Sequence, residues 1–422
     1  MMKFLYAVIL LFSLSSWAKP TDQLIILTTF TVESLQPILK KFQQQYPEVH
    51  FTILHRRESS GLRLLSHEDH DIDIVISSTR SLFTPLVDDN RLLPLDALNF
   101  DSTFQQQRFM QDSIANVAIF GYSGYGLMWN EEYIKKHKLP VPNKWESLAD
   151  PRYFRHLVMS SPARSGTTHI MVENILQHYG WKNGWQLLLQ IGGNLSSISA
   201  RSYGVKDSIA RGLAGIGPII DSYAHESQKL FPFINFAYQP KSPLLPSYVA
   251  AVKNIQQANR SIEFIEFLLS DELQKNLSTS SLNKYALHQT MAQPFEVSSI
   301  DHHLMEERAI LVKQLFEQSI NRQLIRLNQA WQLIHKVKQL SPLTPEEQRQ
   351  YTLAIKLAST PPISEAQSRN PRLRKAITMS RTDMHTAQII LEWRTLMTEQ
   401  LDQAISICER LLDNRKLGGA NK

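Results

Sequence analysis

The first eighty residues alternate between apolar strand patterns and helical spacing, and this alternation restricts the fold more than any other feature. The apolar run from Leu24 to Leu27 is unbroken, and two further strand patterns follow in VHFTILHR and DIDIVISS. Unbroken apolar runs are typical of strands that are covered on both faces, as in parallel sheets. The pattern therefore predicts an α/β fold built on an open, largely parallel sheet.

Polar residues follow each of these three strand patterns. Thr29 comes after the first, Ser60 and Gly61 lie in a polar stretch after the second, and Ser78 follows the third. In an open α/β sheet the carboxyl ends of the strands line the ligand crevice. These four residues are therefore candidates for one wall of a binding site, although polar loops after strands also occur where no ligand binds.

A second polar stretch lies between Ser160 and Tyr223, where Arg164, Ser165, Gly166 and Thr167 lead directly into an apolar-periodic helix. Such a turn directs unpaired N–H groups, hydroxyls and the positive end of a helix dipole towards one point, which suits an anion. The alternative is an ordinary helix N-cap, because Ser and Thr are favoured there without any ligand.

Four more residues complete the candidate site. Arg201 could hold a carboxylate or phosphate through two parallel hydrogen bonds. The glycine-rich turn GYSGYG predicts a hinge where the chain crosses from a first lobe to a second. Tyr125 and Tyr203 could stack or hydrogen-bond near this hinge, although aromatic residues there equally serve packing. Asp221 ends the small-residue strand GLAGIGPIID and could accept a ligand hydroxyl, orient Arg201 or brace the hinge.

Charge and motif content exclude several classes of function. The net charge is +6, and most of the excess lies after residue 300, so the preceding part offers no basic surface for nucleic acid. The cluster formed by His67, Asp69, His70 and Asp71 matches no zinc signature, and we predict neither a metal nor a cofactor. Neither a Ser-His-Asp order nor a nucleophile elbow is present, so we predict a protein without enzymatic activity. Cys408 is the only cysteine and cannot form an internal disulfide.

The N-terminus predicts export. Residues 1–18 combine Lys3, an apolar segment of about a dozen residues and the small-x-small site Ser16-Trp17-Ala18, the pattern of a cleavable signal peptide. A membrane anchor is the alternative, but spanning takes about twenty apolar residues. We therefore expect a periplasmic protein.

Four segments carry a family resemblance. In order along the chain they read DPRYFRHLVMSSPARSGTTHIMVENIL, YGWKNGWQLLLQIGGNLSSISARS, IARGLAGIGPIIDSYA and LPSYVAAVKNIQQANRSIEFIEFLLSDELQ. Together they resemble the periplasmic solute-binding proteins of ABC uptake systems, in the subgroup with ferric-ion-binding and phosphonate-binding members. The resemblance implies a two-lobed periplasmic-binding-protein fold that closes like a clamshell on its ligand.

The resemblance also implies domain limits and a ligand class. The first lobe is expected at 19–120 and about 240–300, the second at 121–239, and a helical extension at 301–422. Iron-binding members place two adjacent tyrosines where this chain has Ser222 and a single Tyr223. We therefore expect a small anionic, phosphorylated organic acid similar to phosphoglycerate or phosphoenolpyruvate, with ferric iron or a phosphonate as the alternative.

From Asp301 onwards the pattern predicts helices alone. Two helical seams step by four and three residues, through Ile320, Leu324, Leu327, Trp331 and Ile334 and through Met397, Leu401, Ala404, Cys408 and Leu411. The extension either covers the second lobe or docks a membrane partner, and the sequence does not separate these.

We expect a monomer that signals ligand occupancy to a membrane sensor kinase or delivers the ligand to an ABC permease. The alternatives are an adaptor that acts mainly through its tail and a phosphoester hydrolase on the same fold.

Overall fold

The computed structural model describes residues 23–67, 70–95, 114–253, 257–287, 298–340, 342–377 and 383–420, with side chains as far as residue 415 in the last of these ranges. The predicted signal peptide and Asp69 lie outside the described residues.

The described strands form two five-stranded sheets. They are β1 (Gln23–Thr28), β2 (His50–His55), β3 (Ile74–Ser77), β4 (Ala118–Ser123), β5 (Tyr125–Asn130), β6 (Leu157–Ser160), β7 (Leu195–Ser199), β8 (Ile216–Ile220), β9 (Ile234–Tyr238) and β10 (Leu245–Ala251).

Both sheets have the same plan. In the first, the order is β2-β1-β3-β10-β4, with β1 parallel to β2 and β3 and with Ile26 opposite both Ile53 and Ile74. In the second, the order is β7-β6-β8-β5-β9, with β6 parallel to β7 and β8. The remaining pairs, which involve β10 or β5, are antiparallel.

The chain passes from the first sheet to the second at Gly124, between β4 and β5, and returns between β9 and β10. We call the first sheet with its helices the first lobe and the second sheet with its helices the second lobe. The predicted α/β architecture of two lobes is confirmed. The segment between β9 and β10 is this return crossing, since the two strands lie in different sheets.

Helices cover both sheets and form the C-terminal extension. They are α1 (Val32–Gln45), α2 (Glu58–Leu65), α3 (Thr84–Asp88), α4 (Glu131–Lys136), α5 (Gly166–Asn194), α6 (Ser202–Ala210), α7 (Asp221–Leu230), α8 (Ala258–Leu269), α9 (Asp271–Asn276), α10 (His302–Glu307), α11 (Ala309–Phe316), α12 (Leu324–Lys338), α13 (Pro345–Ser359), α14 (Glu365–Ser368), α15 (Pro371–Ala376) and α16 (Met384–Ala420). Short 3-10 helices occupy Arg80–Leu82, Trp145–Ala149 and Pro151–Tyr153, and a π-helical turn occupies Glu317–Asn321.

The inner strands of the first sheet are buried on both faces, which explains their unbroken apolar runs, whereas the edge strand β2 is half-buried. Leu24 and Ile26 pack with α1 and α8, while Leu27 belongs to a separate cluster that includes Leu65 of α2 and Leu86 of α3. Successive strand residues point to opposite faces, so both sets must be apolar when helices lie on each side.

The extension continues the core of the second lobe. Leu327 and Trp331 of α12 share one buried apolar cluster with Leu188 and Leu189 of α5. A Cβ built on Gly193 of α5 would lie 2.4 Å from Trp331 Cδ1, so the two helices approach closely because this glycine has no side chain.

The helical signals in the extension are confirmed. Both seams are buried apart from half-buried Leu324, and Thr344 and Glu347 form a reciprocal capping box at the start of α13. Among the described residues, no helix is both long enough and apolar enough to cross a membrane.

Candidate ligand-binding cleft

A cleft of about 400 Å³ lies between the two lobes. Its walls come from residues that follow strands and begin helices. From the first lobe it receives the start of α1 at Thr31 and the start of α2 at Glu58. From the second lobe it receives the starts of α5, α6 and α7, at Gly166, Ser202 and Ser222. The first N–H groups of a helix have no intrahelical acceptor and carry a partial positive charge, so five such ends give the cleft a geometry that suits an anion.

The first-lobe wall is held by hydrogen bonds between hydroxyl groups. Thr29 Oγ1 lies 2.7 Å from Ser77 Oγ, which also accepts a hydrogen bond from the Thr79 N–H at 2.9 Å. Ser78 Oγ lies 3.4 Å from Ser247 Oγ of the neighbouring strand β10. These contacts fix the polar turns at the ends of β1 and β3 at the cleft.

The second-lobe wall joins two helix ends. Ser165 caps α5 by accepting a hydrogen bond from the Thr168 N–H at 3.1 Å, and its hydroxyl lies 2.6 Å from that of Ser202 at the start of α6. Tyr223 lines the same wall, and burial raises its pKa to about 12, so its hydroxyl stays protonated and can donate to an anion.

Cationic side chains predominate around the cleft. Its lining includes Arg56, Arg57, Arg164, Arg201, Lys229 and Lys284. It also includes three carboxylates, of which Glu226 lies 3.2 Å from Lys206 Nζ and Glu58 lies 2.9 Å from Lys313 Nζ. Because these two lysines offset part of the negative charge, the cleft favours an anionic ligand.

The lobes touch across the cleft. Arg201 Nη1 lies 2.9 Å from His55 Nε2, and Lys229 Nζ donates to Asn283 Oδ1 at 2.8 Å. A Cβ built on Gly166 would lie 2.6 Å from Thr79 Oγ1 of the other lobe. The structure therefore shows a closed arrangement, in which position 166 has no room for a side chain unless Thr79 moves.

Asp221 lies behind the cleft at the crossing between the lobes. Its carboxylate accepts hydrogen bonds from the Gly124 N–H and, at 3.3 Å, from the Tyr238 hydroxyl. Burial raises its pKa to about 6, against the effects of the Gly124 N–H and of Lys284. Burial also lowers the pKa of Lys284 to about 8, and the Lys284 ammonium donates to Ser123 Oγ at 2.7 Å. Asp221 therefore braces the hinge, one of the roles considered from the sequence.

The structure brings most of the predicted site residues together at the cleft. Those that line it are Thr29, Ser78, Arg164, Ser165, Gly166, Thr167, Arg201 and Tyr203. The predicted residues outside its lining are Ser60, Gly61, Tyr125 and Asp221.

Each of the four has a structural reason for its position. The polar stretch that contains Ser60 and Gly61 is the start of helix α2, so its prediction as a loop was wrong. Gly61 is buried, and a Cβ built on it would lie 3.1 Å from Leu82 Cδ2. Ser60 lies half-buried in the first turn of the same helix. Tyr125 is fully buried in β5 and packs 6.4 Å from the Trp145 ring, while Asp221 is at the hinge.

Two groups stand out among the lining residues that sequence reasoning missed. His55, Arg56 and Arg57 come at the end of β2, as Thr29 does at the end of β1, so the strand-end rule could have found them. The segment 279–284 follows α9 and reaches the cleft only through tertiary packing, for which the sequence gives no local signal.

Within the described residues, no group of three or more His, Cys, Asp or Glu side chains is placed to hold a metal ion. After β8 the chain presents Tyr223 followed by Ala224, so two adjacent phenol oxygens are not available at this position.

Comparison with known proteins places this geometry in context. A family model described as bacterial extracellular solute-binding protein matches residues 69–299. The phosphoglycerate transport regulatory protein PgtC of Salmonella typhimurium is 33% identical over 330 residues, which cover 75% of this chain and 81% of that protein. Its counterpart in Salmonella typhi has the same identity and coverage.

Solved structures share the fold at low identity. The periplasmic binding protein AfuA from Actinobacillus pleuropneumoniae, with fructose-6-phosphate bound, is 15% identical with a TM-score of 0.62, and the match covers 70% of this chain and 98% of that one. Iron-bound HitA from Pseudomonas aeruginosa is 15% identical with a TM-score of 0.58, covering 69% and 98%. These likenesses show that the chain shares its fold with these proteins.

Proposed function

This chain belongs to the bacterial extracellular solute-binding proteins, and from that premise we propose that it captures a small phosphorylated organic acid, of the phosphoglycerate or phosphoenolpyruvate kind, between its two lobes. The observation that carries the proposal is the convergence of five helix N-termini from both lobes on one cleft. A doubly charged phosphate finds there the N–H groups and dipole ends that it prefers.

The cleft also suits the remainder of such a ligand. Arg164 and Arg201 line the second-lobe wall, and a guanidinium pairs with a carboxylate or a phosphate through two parallel hydrogen bonds. The hydroxyls of Thr29, Ser78 and Thr167 can bond the ligand's own hydroxyl groups. A volume of about 400 Å³ lies within the range of small-molecule sites.

Binding by both walls explains how closure would report occupancy. A ligand that contacts both lobes binds the closed state more tightly than the open one and shifts the population towards it. The similarity to PgtC supports a role in phosphoglycerate transport and its regulation, with a membrane sensor kinase or an ABC permease as the partner of the closed form in the periplasm.

Calorimetric titration of the purified protein tests the ligand class. The panel contains 2- and 3-phosphoglycerate, phosphoenolpyruvate, glycerate, a phosphonate and ferric citrate. We expect the phosphorylated acids to bind and glycerate to bind much more weakly, because it lacks the phosphate. Binding of ferric iron with none of the phosphorylated acids would overturn the proposal, and phosphate release during incubation would indicate a hydrolase.

A matched pair of variants places the ligand. Arg201→Gln removes a guanidinium from the cleft, and we expect its affinity for 3-phosphoglycerate to fall about tenfold or more, as for the loss of a charge-assisted pair. Arg211→Gln makes the same change on an exposed residue of the same lobe, outside the cleft lining, and should bind like the wild type.

A further inference from the structure

The C-terminal extension is joined to the second lobe through a buried apolar core, which we call the joint. Val312, Leu315 and Phe316 of α11 are almost fully buried in the cluster that contains Leu188 and Leu189 of α5. Separating α11 from the second lobe would expose this apolar surface to water, which costs free energy in proportion to its area. Helix α11 therefore moves with the second lobe.

A buried ion pair strengthens this joint. Arg308, between α10 and α11, donates three hydrogen bonds to the Glu173 carboxylate of α5, at 3.2, 3.1 and 2.7 Å. Glu173 is fully buried and Arg308 is 5% exposed. The position of α10 and α11 on the second lobe is thus fixed by charge as well as by packing.

The same segment reaches the first lobe through polar side chains. Lys313 Nζ donates to both carboxylate oxygens of Glu58 in α2, each at 2.9 Å, and Ser81 Oγ donates to the same carboxylate at 2.6 Å. One helix earlier, Glu306 Oε1 lies 2.9 Å from Arg80 Nε. We call these two ion pairs, Lys313–Glu58 and Glu306–Arg80, the lobe tie.

The lobe tie lies next to the candidate ligand-binding cleft. Glu58 itself lines the cleft and precedes the lining residue Ser59, while Arg80 follows the lining residue Thr79. The tie and the ligand would therefore hold neighbouring residues of the same wall.

We propose that segment 302–316 ties the first lobe to the second in the closed arrangement, and that its Lys313 is a positioning residue that acts on the cleft through Glu58. The ammonium of Lys313 offsets and positions the Glu58 carboxylate, which would otherwise stand unpaired against an anionic ligand. The extension is in this way part of the binding site, and it senses whether the lobes are closed.

The lobe tie is polar and the joint on the second lobe is apolar, and this difference suits the proposed role. When the lobes separate, the charged groups of the lobe tie become hydrated, which offsets part of the attraction that is lost, whereas the apolar joint on the second lobe stays intact. Both the tie and a bound ligand favour the closed state, so they are thermodynamically linked, and breaking the tie must lower ligand affinity. The affinity part of the inference rests on the proposed function, and the closure part does not.

Closure is measured first without ligand. Spin labels on Lys40→Cys in α1 and Lys136→Cys in α4, both exposed positions, report the distance between the lobes in a Cys408→Ala background. We expect Lys313→Met and Glu306→Gln each to increase the population with the longer distance. Arg326→Gln, which breaks an ion pair with Asp402 inside the extension, is the matched control and should leave the distances unchanged.

A double-mutant cycle tests whether Lys313 acts through Glu58 or has only a structural role. If Lys313 acts through Glu58, then Glu58→Gln opens the lobes as Lys313→Met does, and the double variant opens them no further. Additive changes in the distance distribution, or distances identical to those of the Arg326→Gln control, would refute the tie.

Affinity for 3-phosphoglycerate is measured on the same variants. We expect Lys313→Met to weaken binding by about tenfold and the added Glu58→Gln to restore much of it, since the opposing carboxylate is then neutral. Unchanged affinity in Lys313→Met would refute its positioning role. If the wild type binds no phosphorylated acid, the proposed function fails, while the label distances still decide whether the extension ties the lobes.

Discussion

The C-terminal extension meets the two lobes in opposite ways. Against the second lobe it presents the buried side chains of Leu327 and Trp331 and forms one apolar core with α5. Against the first lobe it presents the ion pairs of Lys313 and Glu306, whose partners remain partly exposed. One contact resembles the interior of a domain, and the other resembles the rim of a transient interface.

This difference shows how a third element can be added to a two-lobed protein without preventing its closure. A large apolar contact with both lobes would lock them together, whereas a polar contact with one of them can form and break. The covering role considered from the sequence is therefore visible in the structure, and the docking of a membrane partner on the extension remains a hypothesis.

Truncating the apolar joint should have the largest effect. Trp331 is 4% exposed and packs against Gly193, so Trp331→Ala leaves a large cavity and should lower the free energy of unfolding by about 3–5 kcal/mol. Urea denaturation followed by circular dichroism measures this. Ile325→Ala on the same helix is the control, because Ile325 is 83% exposed and its loss should change stability by less than about 0.5 kcal/mol.

The same joint predicts how the variant unfolds. Because the second lobe and the extension share a core, calorimetry of Trp331→Ala should show both losing structure in one transition. Deletion of residues 301–422 should likewise leave the second lobe unable to fold. A truncated chain that folds and still binds its ligand would contradict the shared core and make the extension an independent domain.

Breaking the buried ion pair of the joint should have the next largest effect. Arg308→Met leaves the Glu173 carboxylate buried without its partner, and we expect a loss of about 3 kcal/mol in the free energy of unfolding. Glu173→Gln added to Arg308→Met should recover part of this loss, because the unpaired charge is gone. No recovery would mean that Arg308 stabilises the joint mainly through its packing over the Trp181 ring, 5.4 Å away.

The polar contact should contribute little to stability. Glu306 and Arg80 have side chains 30% and 22% exposed, so Glu306→Gln should cost only about 0–1 kcal/mol of unfolding free energy while it shifts the lobe distance. Urea denaturation beside the spin-label measurement gives both values for one variant. If Glu306→Gln destabilised the protein as strongly as Arg308→Met, the contrast between joint and tie would be lost.

Much of the fold could be predicted from the sequence, and eight of the twelve predicted site residues line the cleft, for reasons that are local. Thr29 and Ser78 follow buried strands, and Ser165 to Thr167 begin a helix, so periodicity and capping suffice to place them. Ser60 and Gly61 were misplaced because α2 begins at Glu58, which leaves His55 to Arg57 at the strand end.

The other residues are positioned by contacts between parts of the chain that lie far apart in sequence. Lys313 lies on a largely apolar helix, and only the packing of α11 on the second lobe directs it towards Glu58, 255 residues away in sequence. Segment 279–284 and the buried Lys284 likewise reach the cleft through the return of the chain after β10. Tyr125 carries no local sign that it faces the core.

The contact between His55 and Arg201 should make closure weakly dependent on pH. Burial lowers the pKa of His55, and the nearby Arg201 guanidinium lowers it further, so the closed state holds the imidazole neutral. The free energy that the His55–Arg201 contact contributes to the closed state is complete above the ordinary histidine pKa of about 6.5. It is lost as the pH falls through the lowered pKa of His55. Spin-label distances in the ligand-free protein should therefore lengthen between pH 7.5 and 5.5, since protonation sets two cations against each other.

In His55→Gln the amide oxygen can accept from Arg201 without titrating, and the lengthening should be smaller. Because Glu33 and Arg56 act on His55 in opposite directions, the comparison with this variant, and not the wild-type profile alone, isolates the effect. Equal lengthening in both proteins would assign the pH dependence to another group.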